Sequence, residues 1–151
     1  MNKNLIFILM IFFVVLSFFI VLFIRNNIEK NKIKEENREY LYYKDKTIKI
    51  NNVITIMNKA IESNRNNNIE SNDKNEFIEN DTDSIKVYIE IKSRESIIPM
   101  EALLLSENGG VQKVESLFSD MFFEYKTIEY HKKTGKIKKI VFIAVEDELE
   151  E

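Results

Sequence analysis

SIKVYIEIKS, residues 84–93, alternates apolar and polar side chains without a break. Ile85, Val87, Ile89 and Ile91 fall on one side, and Ser84, Lys86, Tyr88, Glu90 and Lys92 on the other. Successive side chains of a strand point to opposite faces, so this pattern predicts a strand with one face in a core and the other in water. Such a strand belongs to an antiparallel sheet with an open side, because the strands of a parallel sheet are covered on both faces and read as continuous apolar runs. A carboxylate at Val87 is therefore expected to unfold the domain, and one at Lys86 to be tolerated.

C-terminal to this strand, Pro99 predicts a helix start, since the first helical position needs no N–H. The run through Leu103, Leu104 and Leu105 is expected to end at Asn108-Gly109. After the Gly109-Gly110 pair, Val111, Val114, Leu117, Phe118 and Met121 recur at helical spacing. Neither GxxxxGK[ST] nor GxGxxG is present, so the glycine pair reads as an interhelical turn rather than a phosphate cradle. Residues 122–130 and 137–145 are two further predicted strands. Between them His131-Lys132-Lys133-Thr134-Gly135-Lys136 forms a hairpin turn, with Gly135 at a left-handed position. The second of these strands is apolar on both faces toward its end (Val141, Phe142, Ile143, Ala144, Val145), which places it centrally. Residues 146–151, EDELEE, are an acidic tail expected to stay solvated.

N-terminal to the strand, Asn80-Asp81-Thr82-Asp83 is a turn. Its two aspartates resemble the opening of a calcium loop, yet Lys86 stands where that pattern needs Gly and Lys92 where it needs Glu. Phe77 and Ile78 are expected in the core. Residues 64–75 form a polar, low-complexity loop that is a candidate for disorder. In residues 46–64, Ile50, Val53, Ile54, Met57, Ala60 and Ile61 recur every three or four positions, one face of an amphipathic helix with Asp45 as its N-cap. The expected fold class is α+β: residues 40–145 form a small domain of amphipathic helices packed on a mainly antiparallel sheet of about three strands.

Ahead of the domain lies LIFILMIFFVVLSFFIVLFI, Leu5 to Ile24, in which Ser17 is the one polar side chain. A helix of this length reaches about 30 Å, the thickness of a bilayer's hydrocarbon core. The run is too long for a cleaved signal peptide, lacks a small-x-small site, and is followed by no cysteine to lipidate. It is expected to be a transmembrane helix, so that the lipid bilayer is a partner through Leu5 to Ile24. Residues 1–4 are then a short tail, and 25–39 (RNNIEKNKIKEENRE) a charged stalk, helical or frayed, whose Arg25, Lys30, Lys32 and Lys34 could meet lipid headgroups. Two arguments on orientation collide. Arg25, Lys30, Lys32, Lys34 and Arg38 outnumber Lys3 and the α-amino group, which by the positive-inside rule retains the domain in the cytoplasm. A lone apolar segment at the start of a bacterial chain, however, usually acts as an uncleaved signal anchor. The expectation is a single-pass cell-membrane protein with an extracytoplasmic domain.

An apolar N-terminal helix joined to an antiparallel sheet resembles the architecture of type IV pilins. That family carries a glycine just before the apolar run and a glutamate a few residues into it. Here no glycine precedes Gly109 and no acid precedes Glu29, so the resemblance is one of architecture, and implies a pilin-like subunit only as a minor alternative.

The 151 residues carry a net charge of −3, with basic and acidic side chains interspersed. No basic face is present to suggest a nucleic-acid partner. There is no cysteine and a single histidine, which excludes disulfides, thiol nucleophiles and a structural zinc site. His131, beside two lysines at a hairpin mouth, reads as an exposed surface residue. No catalytic, cofactor-binding or metal-ligating residue is therefore expected, and no cofactor. Heavy use of Asn, Lys and Ile suggests an AT-rich bacterial genome. The expected function is a non-enzymatic binding or assembly module of a bacterial cell envelope, with a protein partner. The alternative is an anchored ligand-binding domain or enzyme of the cystatin or NTF2-like sort, in which a helix crosses a curved sheet. A pocket lined by convergent polar groups favours the alternative; a filled core with an exposed apolar patch favours the first.

Overall fold

The computed structural model describes residues 3–91, 96–104 and 110–145. The chain divides into two compact units, residues 1–36 and 37–151. A single helix, α1 (Lys3–Tyr40), runs from the first into the second.

In the first unit, the side chains from Ile6 to Ile24 stand exposed along α1. Among the described residues this is the one helix long and apolar enough to cross a membrane. Its lone hydroxyl is satisfied locally: Ser17 Oγ donates to the Val14 carbonyl at 2.8 Å. That bond lets a polar atom sit in an apolar stretch at little cost. The polar residues after Ile24 continue the helix without a break, and Lys32 and Glu36 form an exposed pair one turn apart, 3.9 Å between charged atoms.

The second unit is mixed α/β. Its elements are β1 (Ile48–Lys49), α2 (Ile50–Asn66), β2 (Lys86–Ile91), β3 (Ser96–Pro99), a 3-10 helix (Met100–Leu104), α3 (Gly110–Leu117), β4 (Phe122–Tyr130) and β5 (Ile137–Val145). The sheet has five strands in the order β1-β4-β5-β2-β3. The expectation of about three, mainly antiparallel strands is corrected on two counts. β1 and β3, two and four residues long, are too short to show a period. β2, moreover, pairs with β5 in parallel, Val87 beside Ile140 and Ile89 beside Phe142, while its other neighbour β3 is antiparallel. β5 is central, as its apolar run suggested.

The core lies between one face of the sheet and α2. Val53, Met57 and Ala60 of α2, Val87 and Ile89 of β2, Ile140 and Phe142 of β5, and Phe123 of β4 are fully buried. All six apolar positions expected on the buried side of α2 are there, with Ile56 added. Asp45 is not its N-cap; Lys49 is, with no side-chain bond, because β1 occupies the residues just before the helix. Pro99 ends β3, and the turn after it is 3-10 rather than α. Leu105, the Asn108-Gly109 stop, residues 92–95 and the acidic tail lie outside the described residues. In α3 only Gly110 and Val114 are buried; Val111 and Leu117 are exposed, as is Ile78, against expectation.

Residues 64–75 carry several hydrogen bonds made by asparagine side chains. Asn72 Oδ1 accepts the N–H groups of Lys74 and Glu76, both at 2.9 Å, and Ser71 bridges to Phe77. Asn68 and Asn75 take left-handed backbone angles, φ 53° and 61°, which the short amide side chain tolerates. Asn64, read as the start of this loop, is instead fully buried. Its Oδ1 accepts from the Ile85 N–H and its Nδ2 donates to the Ile85 carbonyl, each at 2.8 Å. Asn37 does the same for the hairpin: Nδ2 donates to the Gly135 carbonyl at 2.8 Å and Oδ1 accepts from the Ile137 N–H at 2.9 Å. Gly135, at φ 74°, has the left-handed position expected of it.

Substitution at these buried polar contacts has a readable cost. Asn64→Ala strands both backbone groups of Ile85 away from water and should lower the unfolding free energy by about 2–4 kcal/mol in a denaturant titration, whereas Asn66→Ala, exposed two residues on, should stay within about 0.5 kcal/mol of the parent. A pH titration probes Tyr125, whose hydroxyl donates to the Tyr40 carbonyl. Burial, and secondarily Tyr43, raises its pKa above the ordinary value of 10.0. An acid that ionises later folded than unfolded contributes its stability in full below its unfolded pKa and loses it as pH rises. Stability should fall above about pH 10, and the fall should be shallower in Tyr125→Phe; equal slopes for the two proteins would show that Tyr125 does not carry it.

Candidate functional site

β2 does not have the one wet face its alternation predicted. Ile85, Val87, Ile89 and Ile91 are buried as expected, but Lys86 is buried too, at 7% exposure. The register explains why. In the β2/β3 ladder Tyr88 pairs with Pro99, and one further step of two residues brings Glu101, on the 3-10 helix, opposite Lys86. Lys86 Nζ donates to Glu101 Oε1 at 2.8 Å, and the Phe77 N–H donates to the same oxygen at 3.2 Å. Phe77 caps the pair with its loop. Alternation tells which side chains share a face; the cover on that face comes from a loop and a helix elsewhere in the chain. The expected tolerance of Lys86→Asp therefore does not hold, since the change would set two carboxylates face to face.

Beside the pair opens a cavity of about 550 Å³. Its wall runs from Arg65 at the end of α2, through Ile69, Ser71, Lys74, Asn75 and Phe77 of the asparagine-braced loop, to Glu101 and Leu104 of the 3-10 helix. Arg65 and Lys74 are exposed and hold no ion-pair partner among the described residues. Glu101 is 6% exposed and spends one oxygen on Lys86 and Phe77. Among the described residues its second oxygen has no bonding partner, and no buried side-chain oxygen or nitrogen lacks one. Oε2 is therefore not sealed from solvent, and Glu101 is one of the residues that line the cavity. In a smaller cavity, about 250 Å³ and lined by Lys44–Thr47, Glu124 and Tyr125, Thr47 Oγ1 donates to Glu124 at 3.0 Å, and the Tyr125 hydroxyl is bound to Tyr40.

The remaining chemically versatile groups are used in the fold. His131 is buried at 3% exposure rather than on the surface, and its Nε2–H donates to the Ser84 carbonyl at 2.8 Å. The two aspartates of the 80–83 turn face lysines of the hairpin, Asp81 to Lys133 at 2.8 Å and Asp83 to Lys136 at 2.9 Å. These hydrogen bonds hold both carboxyls below their ordinary pKa. The turn itself is closed by Asn80 Oδ1, which accepts the N–H groups of Thr82, Asp83 and Ser84. Tyr88, half-buried beside Glu101, has its pKa raised by burial first and then by the negative charges of Glu101, Glu79 and Glu76. No group of three or more His, Asp or Glu among the described residues could hold a metal ion.

The sequence offered no signal for this site. Lys86 and Glu101 lie fifteen residues apart with nothing in the pattern between them to join the two, and the cavity's cations, Arg65 and Lys74, both fall in residues 64–75, which read as a polar loop. No family model, curated protein or solved structure matches the chain.

The buried pair gives a clean test. Lys86→Met should destabilise by about 3–5 kcal/mol because it leaves a carboxylate buried without its cation, and adding Glu101→Met should restore most of the loss. The measurement is a double-mutant cycle by denaturant unfolding; additive single effects would show that the two groups do not act as a pair.

Proposed function

We propose that the protein is a single-pass, membrane-anchored, non-enzymatic binding module of a bacterial cell envelope. The observation that carries the reading is the exposed apolar helix, continuous into a small domain whose versatile side chains are engaged in its own fold. In water, uncovered side chains from Ile6 to Ile24 would leave a contiguous apolar surface far larger than soluble monomers show; in a bilayer that surface is in its preferred solvent. The binding surface is the cavity between α2, the 67–78 loop and the 3-10 helix, lined by Arg65, Lys74 and Glu101, whose Oε2 has bonding capacity left. Such a cavity favours the ligand-binding alternative over a flat assembly surface, with the anchor kept. A protein partner remains a second reading, favoured by Ile97, which is 62% exposed on the edge strand β3. The domain is taken as extracytoplasmic, since a lone apolar segment ahead of a polar domain usually exports that domain.

Membrane fractionation tests the anchor. The full chain should stay in the pellet through alkaline carbonate extraction, and deletion of residues 5–24 should release it; a soluble full chain ends the proposal. For sidedness, Asn66→Cys supplies a single exposed thiol in a chain with none. Labelling by a membrane-impermeant maleimide in intact cells is expected; labelling only after lysis places the domain inside.

A further inference from the structure

The open oxygen of Glu101 and the two cations at the rim ask for opposite things. Oε2 of a carboxylate can only accept a hydrogen bond, so a group seated against it must donate. Arg65 and Lys74 can only donate, and they favour an anion. The same cavity is also lined by Phe77, at 6% exposure, and the half-buried Ile69 and Leu104. Because Lys86 already balances the charge on Glu101, a cationic donor meets an acceptor without meeting a net field strong enough to bind it alone.

Resting on the binding-module reading of this cavity, we propose that its ligand is an amino-acid zwitterion with an apolar side chain. The ammonium donates to Glu101 Oε2, the carboxylate takes Arg65 and Lys74, and the side chain lies against Phe77, Ile69 and Leu104. The cavity, about 550 Å³, is within the range of small-molecule sites. Its loop wall is set in advance: Asn72 pins the backbone of Lys74 by accepting its N–H at 2.9 Å, and Asn75 holds a left-handed angle beside it. A wall braced before the ligand arrives loses less freedom on binding. The acids of that loop do not line the cavity; Glu76, for one, accepts from Asn72 Nδ2 at 2.9 Å.

The test is calorimetric titration of the full chain in phosphatidylcholine nanodiscs with three probes of one shape: L-leucine, 4-methylpentanoate, which lacks the ammonium, and 3-methylbutylamine, which lacks the carboxylate. L-leucine should bind, and each of the other two should bind at least about tenfold more weakly, the loss of one charged contact. Arg65→Gln combined with Lys74→Gln, both exposed and outside the core, should weaken L-leucine by about tenfold or more and leave the amine unchanged. Glu101→Gln should weaken L-leucine and spare 4-methylpentanoate; circular dichroism of that variant separates a lost site from a lost fold, and the rim variants decide the matter if it unfolds. No heat with L-leucine, equal binding of all three probes, or full binding by the rim variant overturns the proposal. Carbonate extraction, which does not depend on any ligand, reports separately on the anchored reading, so the two fail independently.

Discussion

Two consecutive peptide groups, those of Ser84 and Ile85, tie the second unit together. They lie just before β2 begins, where the chain has left its turn and has not yet joined a ladder. A backbone group buried in that position must find a partner elsewhere. Here every partner is a side chain, and three of the four bonds come from distant parts of the fold. Asn64, from the last turn of α2, takes both the N–H and the carbonyl of Ile85; His131, from the end of β4, takes the Ser84 carbonyl; Asn80 takes the Ser84 N–H. Helix, hairpin and turn therefore meet at the foot of β2, and the strand's register is fixed before its first sheet bond. Everything β2 then carries depends on that start: Val87 and Ile89 into the core, Lys86 toward Glu101, and β5 alongside in parallel.

This arrangement also explains which parts could be read from the chain. β4, β5 and the buried stripe of α2 are long enough to show a period, and each lies where its pattern puts it, because local preference and tertiary packing agree there. β1 and β3 are shorter than any period. The parallel partner of β2 was hidden for a different reason. Parallel strands usually show apolar residues on both faces because helices cover both, but the outer face of β2 is shielded by its own neighbourhood. Lys126 reaches Glu90 at 2.6 Å, and Lys139 lies over the Tyr88 ring at 5.6 Å. Beyond Lys86, which the 3-10 helix and the Phe77 loop cover, long amphipathic side chains add to the cover while reading as polar. Asn64, Lys86 and His131 misled for one shared reason: each is of a type commonly exposed, and each is buried against a partner at least fifteen residues away, a separation no local pattern records.

Along the 79–83 turn, the hairpin and the strands beside it, charges sit in opposed pairs. Lys133 with Asp81, Lys136 with Asp83, Lys138 with Glu79 and Lys139 with Glu129 are all within 4 Å and partly or largely exposed. Singly, such pairs add little to stability. Taken together they cancel one another's fields over a few ångströms, and solvent ions screen what is left beyond about one Debye length. A surface of that kind gives weak long-range steering. Selectivity on such a surface can come only from contact geometry, in a place where groups are withdrawn from water and left with bonding capacity. The cavity beside Glu101 meets that condition: its carboxylate is almost wholly buried, one oxygen is committed to Lys86 and the backbone, and Arg65 and Lys74 line the same cavity without an ion-pair partner among the described residues.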